Sequence, residues 1–353
     1  MSRLGAFGAR LYHGEAAYDF VGRRKLWYSI SVAILLVVLV GLGFRGLNLG
    51  IEFRGGAEFQ LKSTSVSVEE ARAAAESTAG GEVIVTIIGT DRVRVQTGPI
   101  SEATSKEVVA ALAETFNVPT SEVRVQLVGP SWGGDITQKA IQGLLVFLVL
   151  VIIFLGIYFE PKMAFAAVVA LLHDVVMTVG VYAFTGFEVT PATVIGLLTI
   201  LGYSLYDTVV VFDKVKENTR GIGSQSRRTY SAIANVSVNQ VLVRSINTTI
   251  VAILPVAAIL GIGAGLLGAG TLKDLSLVLF IGMLVGTYSS IVIATPVLAQ
   301  LKEKEPAMQQ LAKRVASHGG DQVGVATAAA PVSSGAVSTG PRVQPRRQPR
   351  RKR

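Results

Sequence analysis

Six apolar stretches, each about the 20 residues that a helix needs to cross a bilayer, constrain this chain more than any other feature. They lie at 27–45, 140–158, 163–185, 192–212, 246–266 and 276–298. No soluble core calls for six such segments, so the chain is expected to be a polytopic α-helical membrane protein. Composition agrees: half of the 353 residues are hydrophobic, only 16% are charged, and the mean hydropathy is +0.51. The first stretch is not read as a cleaved signal followed by a soluble remainder, because five more follow it.

Lys and Arg in the short flanks set the orientation. Arg23, Arg24 and Lys25 precede the first span, Lys214, Lys216, Arg220, Arg227 and Arg228 follow the fourth, and Lys302 and Lys304 follow the sixth. All three groups fall on one side of a six-span protein, which is therefore read as cytoplasmic. The expected organisation is a cytoplasmic N-terminus at 1–26, the first span at 27–45, an external domain at 46–138, and a bundle of spans two to six at 139–300 with a cytoplasmic loop at 213–243. Glu160-Pro161-Lys162 reads as a tight cytoplasmic hairpin. From about Ala307 the chain turns polar and then rich in Ala, Gly, Ser and Pro, so residues 301–353 are expected to be a disordered basic cytoplasmic tail. Much of the net charge of +9 sits there. A positive-inside tail is the plainest reading, with anionic lipid or ribosomal RNA as a candidate contact of its basic end.

Residues 46–138 carry a different pattern. Ala57–Lys62 alternates like a strand, Val68–Thr78 reads as a helix with Ser67 and Glu70 in capping-box spacing, and Glu82–Ile88 and Arg92–Thr97 read as strands around a Gly89-Thr90-Asp91 turn. Ser101–Phe116 reads as a second helix and Glu122–Val128 as a last strand. The order β-α-β-β-α-β predicts a small α+β ferredoxin-like domain. Its acids outnumber its bases, so nucleic acid is not an expected partner.

A charged side chain at the bilayer centre costs about 2.5–3.5 kcal/mol on insertion scales, so each one inside a span is a functional candidate. The third span carries His173-Asp174 near its middle. The fourth carries Asp207, with Ser204 one turn before it and Asp213 at its cytoplasmic end. Gln240, Arg244, Asn247 and Thr248 form one stripe at the start of the fifth. Asp207 and Arg244 both fall toward the cytoplasmic half and could pair. The pair reads equally as a structural lock and as a proton site, since a carboxylate stripped of water and countercharge takes up a proton while arginine keeps its own. Glycines crowd the end of span five (Gly261, Gly263, Gly265, Gly268, Gly270), and Gly282 and Gly286 repeat at four in span six, which predicts close helix packing.

Cysteine is absent, and of three histidines only His173 lies in an apolar segment, so neither a thiolate nor a histidine-rich metal site is expected. Gly221-Ile222-Gly223-Ser224 lacks the lysine of a phosphate-binding loop. No cofactor and no bond-making chemistry is expected; the energy source is an ion gradient or another subunit.

Several blocks resemble the SecF branch of the SecD/SecF family of protein-export membrane proteins. Gly50-Ile51-Glu52-Phe53-Arg54-Gly55-Gly56 resembles its GIDFxGG signature, with Glu52 where Asp is usual. Tyr18-Asp19-Phe20-Val21 and Trp27–Ser31 resemble its N-terminus. Leu201–Asp213 resembles GYSxNDTVVVFD, with Tyr206 in place of Asn and Lys214 in place of the following Arg. Val238–Gln240 with Arg244–Thr248 resembles SxNQTLxRTINTS, and Gly286–Ile291 resembles GTYSSI. The resemblance implies an RND-superfamily half that works with SecD, beside the SecY/SecE/SecG channel and with YajC and YidC as further candidates, in the bacterial plasma membrane. It implies proton coupling of late preprotein export, with sodium not excluded, through Asp207 and Arg244. His173, Asp174, Ser204, Asn247, Thr248 and Asp213 are secondary candidates, and a further carboxylate would come from SecD. The competing readings are a self-contained RND-type exporter and a purely structural assembly subunit.

Overall fold

The computed structural model describes residues 17–62, 68–81, 83–88, 92–224, 227–266 and 270–319. Among them, six helices are long and apolar enough to cross a membrane. The first is α1, Arg24–Arg45. A two-residue strand β1 (Asn48–Leu49) follows, then one helical turn α2 (Ile51–Arg54). Gly55 and Gly56 end that turn with φ of +77° and +146°. A side chain at Gly55 would press on Pro130 and one at Gly56 on the Thr97 carbonyl, so the glycine pair allows three backbones to meet at the domain's root.

The domain comprises β2 (Gly56–Lys62), α3 (Val68–Ala79), β3 (Val83–Ile88), β4 (Arg92–Thr97), α4 (Glu102–Thr115) and β5 (Arg124–Val128). The element order is the expected one. The strands form an antiparallel sheet in the order β3-β4-β2-β5. Alternate strand residues (Phe59, Leu61, Val83, Val85, Val93, Val95) bury against Ala71 and Ala75 of α3 and Val108 and Leu112 of α4. Glu58, Gln60, Arg94 and Gln96 occupy the other, polar face of the sheet. Ser101 caps α4 by accepting from the Thr104 N–H at 3.1 Å. Ser67, proposed as a cap for α3, and the Gly89-Thr90-Asp91 turn lie outside the described residues.

The bundle continues with α5 (Pro130–Tyr158), α6 (Pro161–Thr185), strand β6 (Glu188–Val189), α7 (Pro191–Asn218) and α8 (Tyr230–Ala258), whose last turns widen into a π-helix at Ile259–Leu266. α9 (Gly270–Ser289) runs through a second π segment, Ser290–Ala294, into α10 (Thr295–Glu303). β6 pairs in parallel with β1, tying the foot of the domain to the α6–α7 connection. The helices α6, α7 and α9–α10 form the buried centre; α1, α5 and α8 leave most of their apolar surface open. Small residues let the centre close: Gly282 fits against Ile200, Gly286 against Ser204 and Gly196 against Val278. Gly261, by contrast, has nothing within 4 Å of where a side chain would start, so tight packing does not account for it.

Three boundaries need correction. The loop placed at 213–243 is only 219–229, because α7 runs to Asn218 and α8 starts at Tyr230. The Thr229 hydroxyl caps α8 by accepting from the Ala232 N–H, and polar residues on the helix ends hid their helicity from a hydropathy reading. The domain hands over to α5 at Pro130, ahead of the expected 138. The stretch from 301 is not disordered throughout: α11 (Pro306–Ser317) buries Leu311 and Val315, one turn apart, with Pro306 at its first position. The basic residues from 320 onward lie outside the described residues.

Candidate functional site

The Thr190–Thr193 capping box and Pro191 start α7, which then carries Asp207 into the centre of the bundle. Asp207 is 7% exposed. A buried carboxylate needs hydrogen bonds in place of water. Ser245 of α8 supplies one, its Oγ lying 2.8 Å from both carboxylate oxygens, and the Ser290 hydroxyl donates to Oδ2. Ser290 opens the π segment Ser290–Ala294 of the sixth span.

Arg244 does not pair with Asp207. It precedes Ser245, and neighbours on a helix point about 100° apart. With Ser245 facing in, Arg244 faces out and donates to the hydroxyl of Tyr206, itself 53% exposed, at 3.3 Å. The ion pair anticipated from the sequence is therefore replaced by a buried carboxylate among hydroxyls and an arginine on the open side of the bundle. Asn247 is exposed beside Arg244, and Thr248 only donates to the Arg244 carbonyl at 2.8 Å. Asp213 is exposed near the end of α7.

The third span brings a second carboxylate inside. Asp174 is 3% and His173 8% exposed. The Ser204 hydroxyl donates to Asp174 Oδ2, and His173 Nδ1 lies 3.4 Å from Oδ1. The Tyr288 ring stacks on His173 with centroids 6.1 Å apart, and its hydroxyl shares a hydrogen bond of 2.8 Å with Ser31 of α1. Ser204 and Asp207 sit one turn apart on α7, so one helix face serves both carboxylates. Ser245, Ser290 and Tyr288 were not singled out from the sequence as site residues. Their signal was present in the hydroxyl-rich run Thr287–Ser290 within an apolar span.

At the domain end, Glu188 of β6 bonds Arg94 at 2.8 Å and accepts from Gln96 at 2.8 Å; Gln96 also donates to Glu58. Burial pushes the Glu52 carboxyl above its ordinary value, and Glu188 and Glu58 nearby add to that. At the other end Lys302 bridges Glu160 and Glu305, Lys162 pairs with Glu305, and Arg24 with Glu303. Burial would raise the Glu305 carboxyl, but Lys162 and Lys302 outweigh it and hold it low. Asn235 and Asn239 of α8 bind the backbone around Tyr18–Val21, which gives the N-terminal sequence block a structural job. Among the described residues no group of three or more His, Cys, Asp or Glu could hold a metal ion.

The family model described as protein export membrane protein SecD/SecF, C-terminal, matches residues 107–304, and that of the SecD/SecF GG motif matches 40–65. The protein translocase subunit SecF of Streptomyces coelicolor is 56% identical over 316 residues, covering 89% of this chain and 85% of that protein. SecF of Mycobacterium tuberculosis is 42% identical over 327 residues, covering 89% of this chain and 74% of its own. The crystal structure of SecDF, a translocon-associated membrane protein from Thermus thermophilus, aligns with a TM-score of 0.73 at 28% identity. It covers 82% of this chain but only 39% of that longer chain.

Proposed function

This chain belongs to the SecD/SecF family as a SecF-type protein translocase subunit, and on that premise we propose that it couples the proton motive force to late preprotein export through Asp207 and Arg244. One observation carries the reading. Arg244 sits on the open side of a membrane helix, where a bare guanidinium facing hydrocarbon is costly, one residue from the serine that holds the buried Asp207. That geometry asks for a partner to cover Arg244 and complete a path to Asp207. SecD is the fitting partner, since the chain matches only part of a longer SecDF polypeptide. Asp207 takes a proton when its hydroxyl donors turn away, and arginine, which keeps its charge, draws it back to the ionised form. Each proton crossing 100 mV releases about 2.3 kcal/mol, enough to bias a helix rearrangement.

The positive flanks support both termini being cytoplasmic in the bacterial inner membrane, with the α+β domain outside, where an emerging preprotein would meet it. The SecY/SecE/SecG channel, YajC and YidC are the further partners of this reading, and the basic tail suits anionic lipid. Proton flux decides it. The SecF–SecD pair in proteoliposomes, read with an internal pH dye, should lose flux on Asp207→Asn, and preprotein export should fall with it. Export and flux at parental rates in an assembled Asp207→Asn complex would leave Asp207 a structural residue. A sodium gradient serves as the competing arm.

A further inference from the structure

We infer that His173 and Asp174 form a second proton-binding station inside this chain, coupled to Asp207 through the shared face of α7. The inference rests on the proton-carrying reading of Asp207 and extends it to a second site. Both side chains are more than nine-tenths buried. The groups facing them are Ser204 from α7 and Tyr288 from α9, and Asp207 follows Ser204 one turn along α7. Among the described residues the one ion-pair partner of Asp174 is the adjacent imidazole. A carboxylate in so dry a place is retained with either a proton or a charged neighbour.

The pair meets that need with one exchangeable proton. With the proton on Asp174 the imidazole is neutral; with the proton moved from Asp174 Oδ1 to His173 Nδ1, carboxylate and imidazolium face each other. The net charge is the same in both, and the opposite charges formed by the shift stay close, Nδ1 to Oδ1 3.4 Å. His173 Nε2 is buried and bonds to no group among the described residues. In the imidazolium form Nε2 carries a proton that passes to a water molecule admitted when the bundle opens, while Nδ1 keeps its own, which makes His173 the port of the station. A purely structural histidine would be expected to anchor both nitrogens.

Coupling follows from the helix. Ser204 holds Asp174 while Asp207, three residues on, is held by Ser245 and Ser290. A rotation of α7 that frees one carboxylate moves the donor of the other.

The experiment is infrared difference spectroscopy of the full chain with SecD, titrated with pH, alongside proton flux in proteoliposomes. The parent should give two protonated-carboxyl bands, one lost in Asp207→Asn and the other in Asp174→Asn. Flux in Asp174→Asn should fall by about a hundredfold, as for loss of a proton-transfer group. Should Asp174→Asn fail to assemble, Ser204→Ala keeps the carboxylate but removes its hydroxyl donor and should shift the frequency of the Asp174 band. If Asp207→Asn stops flux while Asp174→Asn keeps both bands and parental flux, or Ser204→Ala leaves both bands unshifted, the station does not exist. If Asp207→Asn leaves flux intact, the reading of Asp207 fails first and this inference with it.

Discussion

Arg94 of the β-sheet reaches across to Glu188 on the connection between α6 and α7, nitrogen to oxygen 2.8 Å, with both side chains largely buried. The contact joins the α+β domain to the helices that hold the two buried aspartates. Breaking a buried pair leaves one charge stranded, a cost of about 3 kcal/mol. Arg94→Ala should therefore loosen the β1–β6 junction, and hydrogen exchange at Asn48–Leu49 and Glu188–Val189 should speed up while the α6–α7 centre keeps its protection.

Glu52 sets a pH dependence at the same junction. Its carboxyl is raised above the ordinary 4.5, by burial first, so the folded state holds a proton that the unfolded state has released. Stability at this end then declines as pH rises from about that ordinary value through the raised one. Glu52→Gln should remove the decline. Its melting temperature should exceed the parent's at neutral pH and converge with it near pH 4, which thermal scans in detergent across pH would read.

Gly286 gives the sharpest packing test. A methyl group there would begin 2.8 Å from Ser204 Cβ, so α9 and α7 must part. Gly286→Ala should destabilise by about 1–3 kcal/mol and lower export as Ser204 and Ser290 move off their carboxylates. Gly261→Ala, with open space around it, should stay within about 0.5 kcal/mol of the parent. Equal effects at the two glycines would refute the packing account.

The exposed side of α8 can be mapped because the chain has no cysteine of its own. A photocrosslinking label on Asn247→Cys should capture SecD, whereas Ser245→Cys, two residues back and buried, should not. Capture from both positions, or from neither, would mean that Arg244 faces something other than SecD.

Much of the architecture was legible in the sequence because the relevant signals are local. Six apolar runs and the alternation in Ala57–Lys62 and Arg92–Thr97 each read out as the element observed. Helix ends were not, because Tyr230–Arg244 and Pro306–Ser317 are helical with too many polar residues for a hydropathy window. Asp207 stood out because a buried charge is costly. Its partners did not, because serine costs little in an apolar helix and so attracts no notice. A pairing of Arg244 with Asp207 stayed open because both fall toward the cytoplasmic half, yet the helical angle between positions 244 and 245 gives the contact to Ser245. Ser290 was hidden further by the π segment, since counting by three and four fails where a turn holds an extra residue.

That wide turn at Ser290–Ala294 has a mechanical consequence. A π turn is an α-helix with one residue in surplus, and when it tightens, everything beyond it turns like a screw by about one residue's angle. Below it, α10 ends at Lys302 and Glu303, which grip Glu160 and Arg24 at the far end of the bundle. On the proton-carrying reading of Asp207, the moment Ser290 lets go of it is the moment the surplus residue is freed to pass its twist to the salt bridges at the other end of the same helix.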